Sequence, residues 1–207
     1  MARGPSHVKL GVVGGTFDPV HLGHLEMADA ARRCAGLDRV LLVPAADPPH
    51  RGRAVASPSD RLRMCRLAVR GRPHLEVSDI ELRREGPSYT ADTLRDLARS
   101  TPDAELYLVL GWDAARELAT WNRPDEVLRL ARVVVVSRPG YPRPGPDDLR
   151  GAGIDPARAL LCPARTPDVD ATDVRARAGR GEPLAGLVDP AVEAYLRDHG
   201  LYAPERA

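Results

Sequence analysis

The chain has 207 residues, a net charge of +1 and 43% hydrophobic residues, enough for one core of ordinary size, which argues against bulk disorder. Near-neutral charge and 4% aromatic residues disfavour a nucleic-acid binder, and no apolar run of about 18 residues is present to span a membrane. Three scattered cysteines without CxxC spacing argue against a disulfide framework or a zinc ribbon, so we expect a reducing, cytoplasmic compartment.

Strand-like and helical patterns alternate along the chain. In chain order, we predict a strand at Leu10–Val13, a helix at His21–Cys34, a strand at Val40–Val43, a helix at Ser59–Val69, a strand at Leu75–Val77, a helix at Tyr89–Ala98, strands at Leu106–Leu110, Val133–Val136 and Ala159–Cys162, and helices at Thr172–Ala178 and Pro190–Asp198. This alternation predicts an α/β fold, a parallel sheet with helices on both faces. Ligands of such sheets bind beyond the carboxyl ends of the strands.

Two other stretches have compositions that need an interpretation. The Pro- and Gly-rich stretch from Arg138 to Ala157 is interpreted as a surface excursion and not as a domain linker. Only Lys9 among the 30 basic residues is a lysine, so clusters of arginine are weak evidence of function. The arginine-rich run from Arg51 to Arg72 fits either a phosphate-binding patch or a solvated helix face.

The loop after the first strand, with the sequence GGTFDPVHLGH, is the most informative stretch. Gly14 and Gly15 let backbone N–H groups approach a phosphate, and the start of the following helix adds its positive dipole. His21 and His24 are three residues apart at that start, so both imidazoles face the same side. Such donors suit phosphoryl or nucleotidyl transfer, in which charge gathers on non-bridging oxygens.

Two simpler interpretations of this loop compete. A glycine-rich turn can merely connect a strand to a helix. A histidine pair at this spacing can bind a metal ion, although no neighbouring Cys or Glu completes a helical ligand set.

The eleven-residue loop resembles the signature of the HxGH nucleotidyltransferase superfamily, and its GGTFDPxHxGH form is most similar to that of the bacterial nicotinate mononucleotide adenylyltransferases. Other stretches resemble motifs of that family in the same order along the chain, from near the start to about Tyr202. They are Pro48–Arg51 (PPH[KR]), Gly86–Leu94 (GPSYTxDTL), Gly111–Asp113 with Trp121 downstream, and Ser137–Gly140 (xRPG).

The resemblance implies a Rossmann-like, doubly wound parallel sheet with a small helical C-terminal part at about 165–207, all in a single nucleotidyltransferase domain over 1–207. It implies an enzyme that joins nicotinate mononucleotide to the AMP half of ATP. The products are nicotinate adenine dinucleotide and pyrophosphate, as in NAD biosynthesis, and Mg²⁺ accompanies ATP. Nicotinamide mononucleotide stays open as a second substrate.

The resemblance also implies roles for individual residues. The catalytic residues are His21, His24 and Arg51. The residues that bind ATP are Gly14, Gly15, Thr16, Phe17, Gly23, Gly111, Asp113, Thr172 and Arg175. The residues that bind the pyridine mononucleotide are Asp18, His50, Tyr89, Thr90, Trp121 and Arg138.

From the residues alone, simpler interpretations of several of these stay open. Trp121 can be a core residue, Asp113 a turn residue, and Ser88 or Thr90 the cap of the helix that follows. His50 and Arg51 can be ordinary loop residues.

One motif departs from the family pattern. The family's C-terminal ISSTxIR is VDATDVR here, at Val169–Arg175, so both serines are replaced. Asp170 can cap the following helix, but it repels a triphosphate unless a magnesium ion intervenes. The change predicts weaker ATP binding and not another reaction.

Three rival functions follow. Pantetheine-phosphate adenylyltransferase belongs to the same superfamily but lacks the GPSYTxDTL segment. A non-catalytic protein that senses a pyridine dinucleotide is favoured only by the Asp170-Ala171 change. A nucleic-acid binder fits the composition poorly.

Overall fold

A computed structural model describes residues 8–48, 54–137, 143–163 and 169–203. Within these ranges six strands form one sheet in the order β3-β2-β1-β4-β5-β6, and every neighbouring pair is parallel. The strands are β1 (Val8–Gly15), β2 (Arg39–Pro44), β3 (Leu75–Val77), β4 (Ala104–Gly111), β5 (Arg132–Ser137) and β6 (Ala159–Pro163). The predicted α/β fold is confirmed.

The helices connect these strands and follow the last of them. They are α1 (Leu22–Ala35), α2 (Pro58–Ala68), α3 (Thr90–Ser100), α4 (Trp112–Ala115), α5 (Pro124–Leu130), α6 (Pro146–Gly151), α7 (Ala171–Gly179) and α8 (Pro190–Asp198), with short 3-10 helices at Leu118–Thr120 and Pro156–Arg158. Each element that the sequence predicted is present, with ends shifted by at most two residues. None of the helices in the described ranges is long and apolar enough to cross a membrane.

Strand β5 shows why its sequence is a near-continuous apolar run. Val134 and Val136 are buried in the core layer that includes side chains of α1, α2 and α8. Val133 and Val135 are buried in the layer on the other face, with side chains of α3, α5 and α6. Because successive side chains of a strand point to opposite faces, a strand covered on both sides needs apolar residues at every position.

The described part of the stretch interpreted as a surface excursion, residues 143–157, is mostly exposed, but it also contributes to the core. It contains α6, and its Leu149 and Ile154 are only 2% and 1% exposed. Both side chains complete the second core layer. The high Pro and Gly content concealed two apolar anchors, and Pro146 itself stands at the start of α6, where proline is favourable.

One disulfide forms, which the prediction against a disulfide framework did not anticipate. Cys34 at the end of α1 and Cys162 on β6 are joined by a disulfide, with their Cα atoms 5.8 Å apart. They are 128 residues apart in sequence, so their spacing along the chain did not reveal that α1 packs beside β6. The cysteines therefore give no support for a reducing compartment. The third, Cys65, is a free buried thiol whose pKa is raised by burial.

Candidate active site

The carboxyl edge of the sheet opens between its two central strands, β1 and β4. After β1 the chain passes through α1 to β2, whereas after β4 it passes through α4 and α5 to β5 on the opposite side. Connections that leave in opposite directions create a crevice at this edge, which is where ligands of such sheets bind. Gly15 ends β1 and Gly111 ends β4, so these two of the four predicted ATP-binding glycines border the crevice.

Phe17 anchors the loop after β1. A side chain at Gly14 would meet no atom within 4 Å, whereas a Cβ at Gly15 would lie 3.2 Å from the Phe17 ring. The ring is 1% exposed, and the residue has a positive φ of 51°, which is costly for a bulky side chain. Packing of the ring therefore fixes the turn. Because the ring is buried, only the backbone of Phe17 is left to make the predicted contact with ATP.

The two histidines of the motif form a stacked pair at the start of α1. His21 is the N-cap residue, and its backbone N–H donates to Nδ1 of His24 at 3.2 Å. Their rings stack with centroids 3.6 Å apart, and the Phe17 and His24 rings form a T-shaped pair with centroids 4.9 Å apart. A neutral imidazole that accepts at one nitrogen has its hydrogen on the other, so His24 can donate through Nε2.

A metal site at this histidine pair finds no support in the structure. Across residues 8–48, 54–137, 143–163 and 169–203, no group of three or more His, Cys, Asp or Glu side chains could hold a metal ion. The predicted ATP-binding Gly23 lies in the first turn of α1, between the two histidines.

Asp18 has structural contacts that the sequence did not predict. The residue is 6% exposed, and its carboxylate accepts hydrogen bonds from the N–H groups of Val55 and Ala56, at 2.7 and 3.0 Å. The hydroxyl of Tyr202 donates to the same carboxylate at 2.7 Å, and burial together with this bond raises the pKa of Tyr202. The side chain thus joins the first loop to two distant segments. Its predicted contact with the mononucleotide stays a prediction.

The C-terminal motif lies against the first loop. Asp170 is the N-cap residue of α7, and its carboxylate accepts the N–H of Thr172 at 2.6 Å, which lowers the pKa of Asp170. Arg175 donates from Nη1 to the carbonyl of Asp18 at 2.7 Å and from Nη2 to the Thr172 hydroxyl at 3.2 Å. Two predicted ATP-binding residues are thus brought to the first loop from more than 150 positions away. The capping role considered for Asp170 is confirmed.

The segment before α3 leaves the helix start without a side-chain cap. The N-cap residue is Tyr89, which makes no side-chain capping bond. The Ser88 hydroxyl instead accepts the N–H groups of Ala46 and Asp47, at 2.9 and 3.2 Å. The alternative in which Ser88 or Thr90 caps the helix is therefore wrong. The first N–H groups of α3 remain suited to binding an anion.

A network of charged residues joins α3 to α5, which begins three residues after Trp121. Asp92 accepts hydrogen bonds from Arg123 at 2.5 Å and from Arg95 at 2.7 Å. Both bonds lower the pKa of Asp92, and the bond from Arg123 has the larger effect. Arg95 also forms two hydrogen bonds to Glu126. No sequence motif indicated this network. Trp121 itself is half-buried and packs against the second core layer.

The remaining site residues are partly outside the described ranges. Asp113 is exposed in the first turn of α4, and Trp112 beside it packs against the second core layer. The predictions for His50, Arg51 and Arg138 fall on residues that lie outside the described ranges.

The arginine-rich run from Arg51 to Arg72 was interpreted as either a phosphate-binding patch or a solvated helix face. In the described part of the run, neither interpretation fits every arginine. Arg63, Arg66 and Arg70 are exposed, as a solvated face requires. Arg61 is 1% exposed and faces inward to backbone carbonyls.

Comparison with known proteins gives consistent matches. The model of the cytidylyltransferase-like family matches residues 12–177. A protein of Dehalococcoides mccartyi named "Probable nicotinate-nucleotide adenylyltransferase" is 41% identical over 199 residues, which cover 94% of this chain and 97% of that protein. A protein of the same name from Roseiflexus sp. is 43% identical over 198 residues, covering 95% and 99%.

A solved structure has a similar fold. It is the nicotinic acid mononucleotide adenylyltransferase of Plasmodium falciparum complexed with NaAD, which matches with a TM-score of 0.78 and covers 95% of this chain and 98% of that chain. At 15% sequence identity this likeness supports the fold alone.

Proposed function

This chain belongs to the cytidylyltransferase-like family and, within it, to the nicotinate-nucleotide adenylyltransferases, and we propose that its stacked histidine pair serves the transfer step. The enzyme joins nicotinate mononucleotide and ATP into nicotinate adenine dinucleotide and pyrophosphate in NAD biosynthesis. The observation that supports the role of the pair is its geometry. His21 holds Nδ1 of His24 at the start of α1, next to the glycine-rich end of β1.

In the proposed step, a phosphate oxygen of the mononucleotide attacks the α-phosphorus of ATP. A new P–O bond forms, the bond from the α-phosphorus to the bridging oxygen breaks, and pyrophosphate leaves with that oxygen. His24 donates from Nε2 to a non-bridging oxygen of the α-phosphate as its charge grows, and His21 fixes the ring that donates. The protein supplies position and charge stabilisation and no nucleophile of its own.

We further propose how ATP is held. The backbone from Gly14 to Phe17, with Gly23 in the first turn of α1, surrounds its phosphates. Thr172 and Arg175 bind the departing pyrophosphate, a role supported by the bond from Arg175 to the first loop. Asp113, exposed after Gly111 at the end of β4, accepts hydrogen bonds from the ribose hydroxyls. Arg51, which is not among the described residues, is proposed to assist the leaving group.

The mononucleotide is proposed to bind beside the start of α3. The start of α3 at Tyr89 and Thr90 has no side-chain cap, and its positive end suits the carboxylate of nicotinate better than the amide of nicotinamide, so we propose the acid as the preferred substrate. Trp121 stacks on the pyridine ring. His50 and Arg138, which lie outside the described ranges, are proposed to bind the mononucleotide phosphate.

Magnesium is proposed to arrive with ATP as part of the substrate. The described side chains form no cluster of three or more metal-binding groups, so they do not fit a resident ion, and Mg²⁺ would sit on the phosphates. When bound there, it compensates their charge. We also propose that residues 1–207 act as one nucleotidyltransferase domain. We propose a cytoplasmic location for the enzyme, although the Cys34–Cys162 disulfide does not support it.

The test is pyrophosphate release from ATP and Mg²⁺ with nicotinate mononucleotide, nicotinamide mononucleotide or phosphopantetheine as the acceptor. We expect the fastest release with nicotinate mononucleotide. Faster release with the amide would overturn the proposed preference for the acid, and release with phosphopantetheine alone would overturn the acceptor class. No release with any acceptor, together with retained dinucleotide binding, would indicate a sensor and implicate Asp170.

A further inference from the structure

Arg61, on the first turn of α2, is a buried arginine whose guanidinium donates to four backbone carbonyls. Nη1 donates to Ala45 at 2.6 Å and to Thr16 at 2.7 Å. Nη2 donates to Ala46 and Nε to Ala56, both at 3.3 Å. The side chain is 1% exposed. Four of the five N–H groups of the planar fork are thus used on main-chain oxygens.

These carbonyls belong to three separate segments at the carboxyl edge of the sheet. Thr16 is in the first loop, directly after Gly15. Ala45 and Ala46 are where the chain leaves β2, and Ala56 is where it returns towards α2. One guanidinium therefore ties the first loop to both ends of the second.

The arrangement is costly, and packing alone does not require it. Among the described residues no carboxylate lies within ion-pair distance of Arg61, and a buried charge without such a partner costs free energy. Burial lowers the pKa of the guanidinium, and the more distant carboxylate of Asp18 opposes that shift. An apolar side chain of similar volume could fill the space, but it would leave these four carbonyls without the donors that Arg61 supplies. What only arginine provides is several directed donors held in one plane.

We propose that Arg61 is a positioning residue for adenylyl transfer, which holds the backbone of the first loop in register with the ends of the second loop. This inference rests on the proposed function, since it concerns the loop that surrounds the phosphates of ATP. Thr16 is proposed to bind ATP as part of the loop that Arg61 holds, and His21, the N-cap residue of α1, follows five residues later. A small shift of this loop would misplace the donors relative to the α-phosphate.

The test compares Arg61→Lys with Arg66→Lys, the same change at an exposed position of the same helix. A lysine keeps the charge, but its single nitrogen cannot span three segments. We expect Arg61→Lys to remain folded and to lose kcat by about 10- to 100-fold, since misplacements of about 1 Å cost that order of rate. The KM for the mononucleotide should change much less, and Arg66→Lys should match the wild type.

Two results would overturn the proposal. One is a kcat of Arg61→Lys close to that of the wild type. The other is a loss of kcat that equals the fraction of unfolded protein, measured by urea unfolding at the assay temperature. As a second variant, Arg61→Ala should regain part of its kcat when guanidinium ion is added far below denaturing concentrations, and no gain would also count against the proposal.

A failure of the proposed function is distinguishable from a failure of this inference. If the wild type releases no pyrophosphate with any acceptor, the function is wrong, and ATP binding by equilibrium dialysis then tests Arg61. Weaker ATP binding by Arg61→Lys, but not by Arg66→Lys, would still support the positioning role. Equal binding by both variants would overturn it.

Discussion

Replacing Tyr202 by phenylalanine removes one hydroxyl from the contacts of the first loop. That hydroxyl donates to the Asp18 carboxylate at 2.7 Å, and Asp18 is 6% exposed. In the variant the carboxylate retains the N–H groups of Val55 and Ala56, but water cannot easily replace the lost donor. The variant should therefore be less stable than the wild type.

The size of the loss follows from the charge and burial of the acceptor. Hydrogen bonds to charged groups contribute about 1.5–3 kcal/mol. Because the N–H groups of Val55 and Ala56 still bind the carboxylate, we expect a loss inside this range, about 2 kcal/mol. For a chain of this size, 1 kcal/mol corresponds to roughly 2–4 °C, so Tm should fall by roughly 4–8 °C.

The assay is urea unfolding of the Tyr202→Phe variant beside Tyr195→Phe. The Tyr195 hydroxyl also donates to a carboxylate, that of Asp60 at 2.8 Å, but this carboxylate is less buried and has a further partner in Ser57. The control should lose less than about 1 kcal/mol. Equal losses in the two variants, or a change below about 0.5 kcal/mol at Tyr202, would refute the reasoning.

Three other predictions concern the site and the cysteines. His24→Ala should lose about 3 kcal/mol or more of transition-state stabilisation, obtained from kcat/KM, as loss of an oxyanion donor does. Near-normal turnover in steady-state kinetics would contradict the role of His24. Asp170→Ser should keep the cap of α7 and lower the KM for ATP; an unchanged KM would mean that the carboxylate does not repel the phosphates. Because the pKa of Asp170 is held below its ordinary 3.8, the charged carboxylate stabilises the fold above about that pH. In urea unfolding, the difference in the free energy of unfolding between the wild type and Asp170→Ser should therefore shrink as the pH falls below 3.8. Thiol titration of the unfolded, unreduced chain should find only Cys65, and reduction should expose Cys34 and Cys162 and cost about 2–4 kcal/mol of stability; three thiols before reduction would contradict the disulfide.

The sequence was a good guide to elements whose signal is local. The run Val133–Val136 reveals a strand buried on both faces because every position must be apolar. The loop from Gly14 to His24 was correctly placed between a strand and a helix because paired glycines and a helix start follow each other directly, while its binding of phosphate stays a prediction. Helices α4, α5 and α6, with four, seven and six residues, are too short to show a periodic pattern, so they were missed.

The sequence was a poor guide to contacts between distant residues. Nothing near Asp18 indicates that Tyr202 will donate to it, and nothing near Cys34 indicates Cys162, because each pair is brought together only by the packing of complete elements. Arg61 was similarly hidden among arginines that are exposed. Its burial depends on loops that come together from the ends of two different strands.

The contacts of Arg175 and Tyr202 with Asp18 also set the order in which the enzyme can mature during synthesis. A chain is made from its N-terminus at roughly 5–20 residues per second, and Asp18 precedes Tyr202 by 184 residues. Asp18 is therefore synthesised roughly 10–40 seconds before Tyr202, the last partner of the first loop. Until then, a nascent chain can have every strand of the sheet and still lack the contacts that complete the loop proposed to hold ATP.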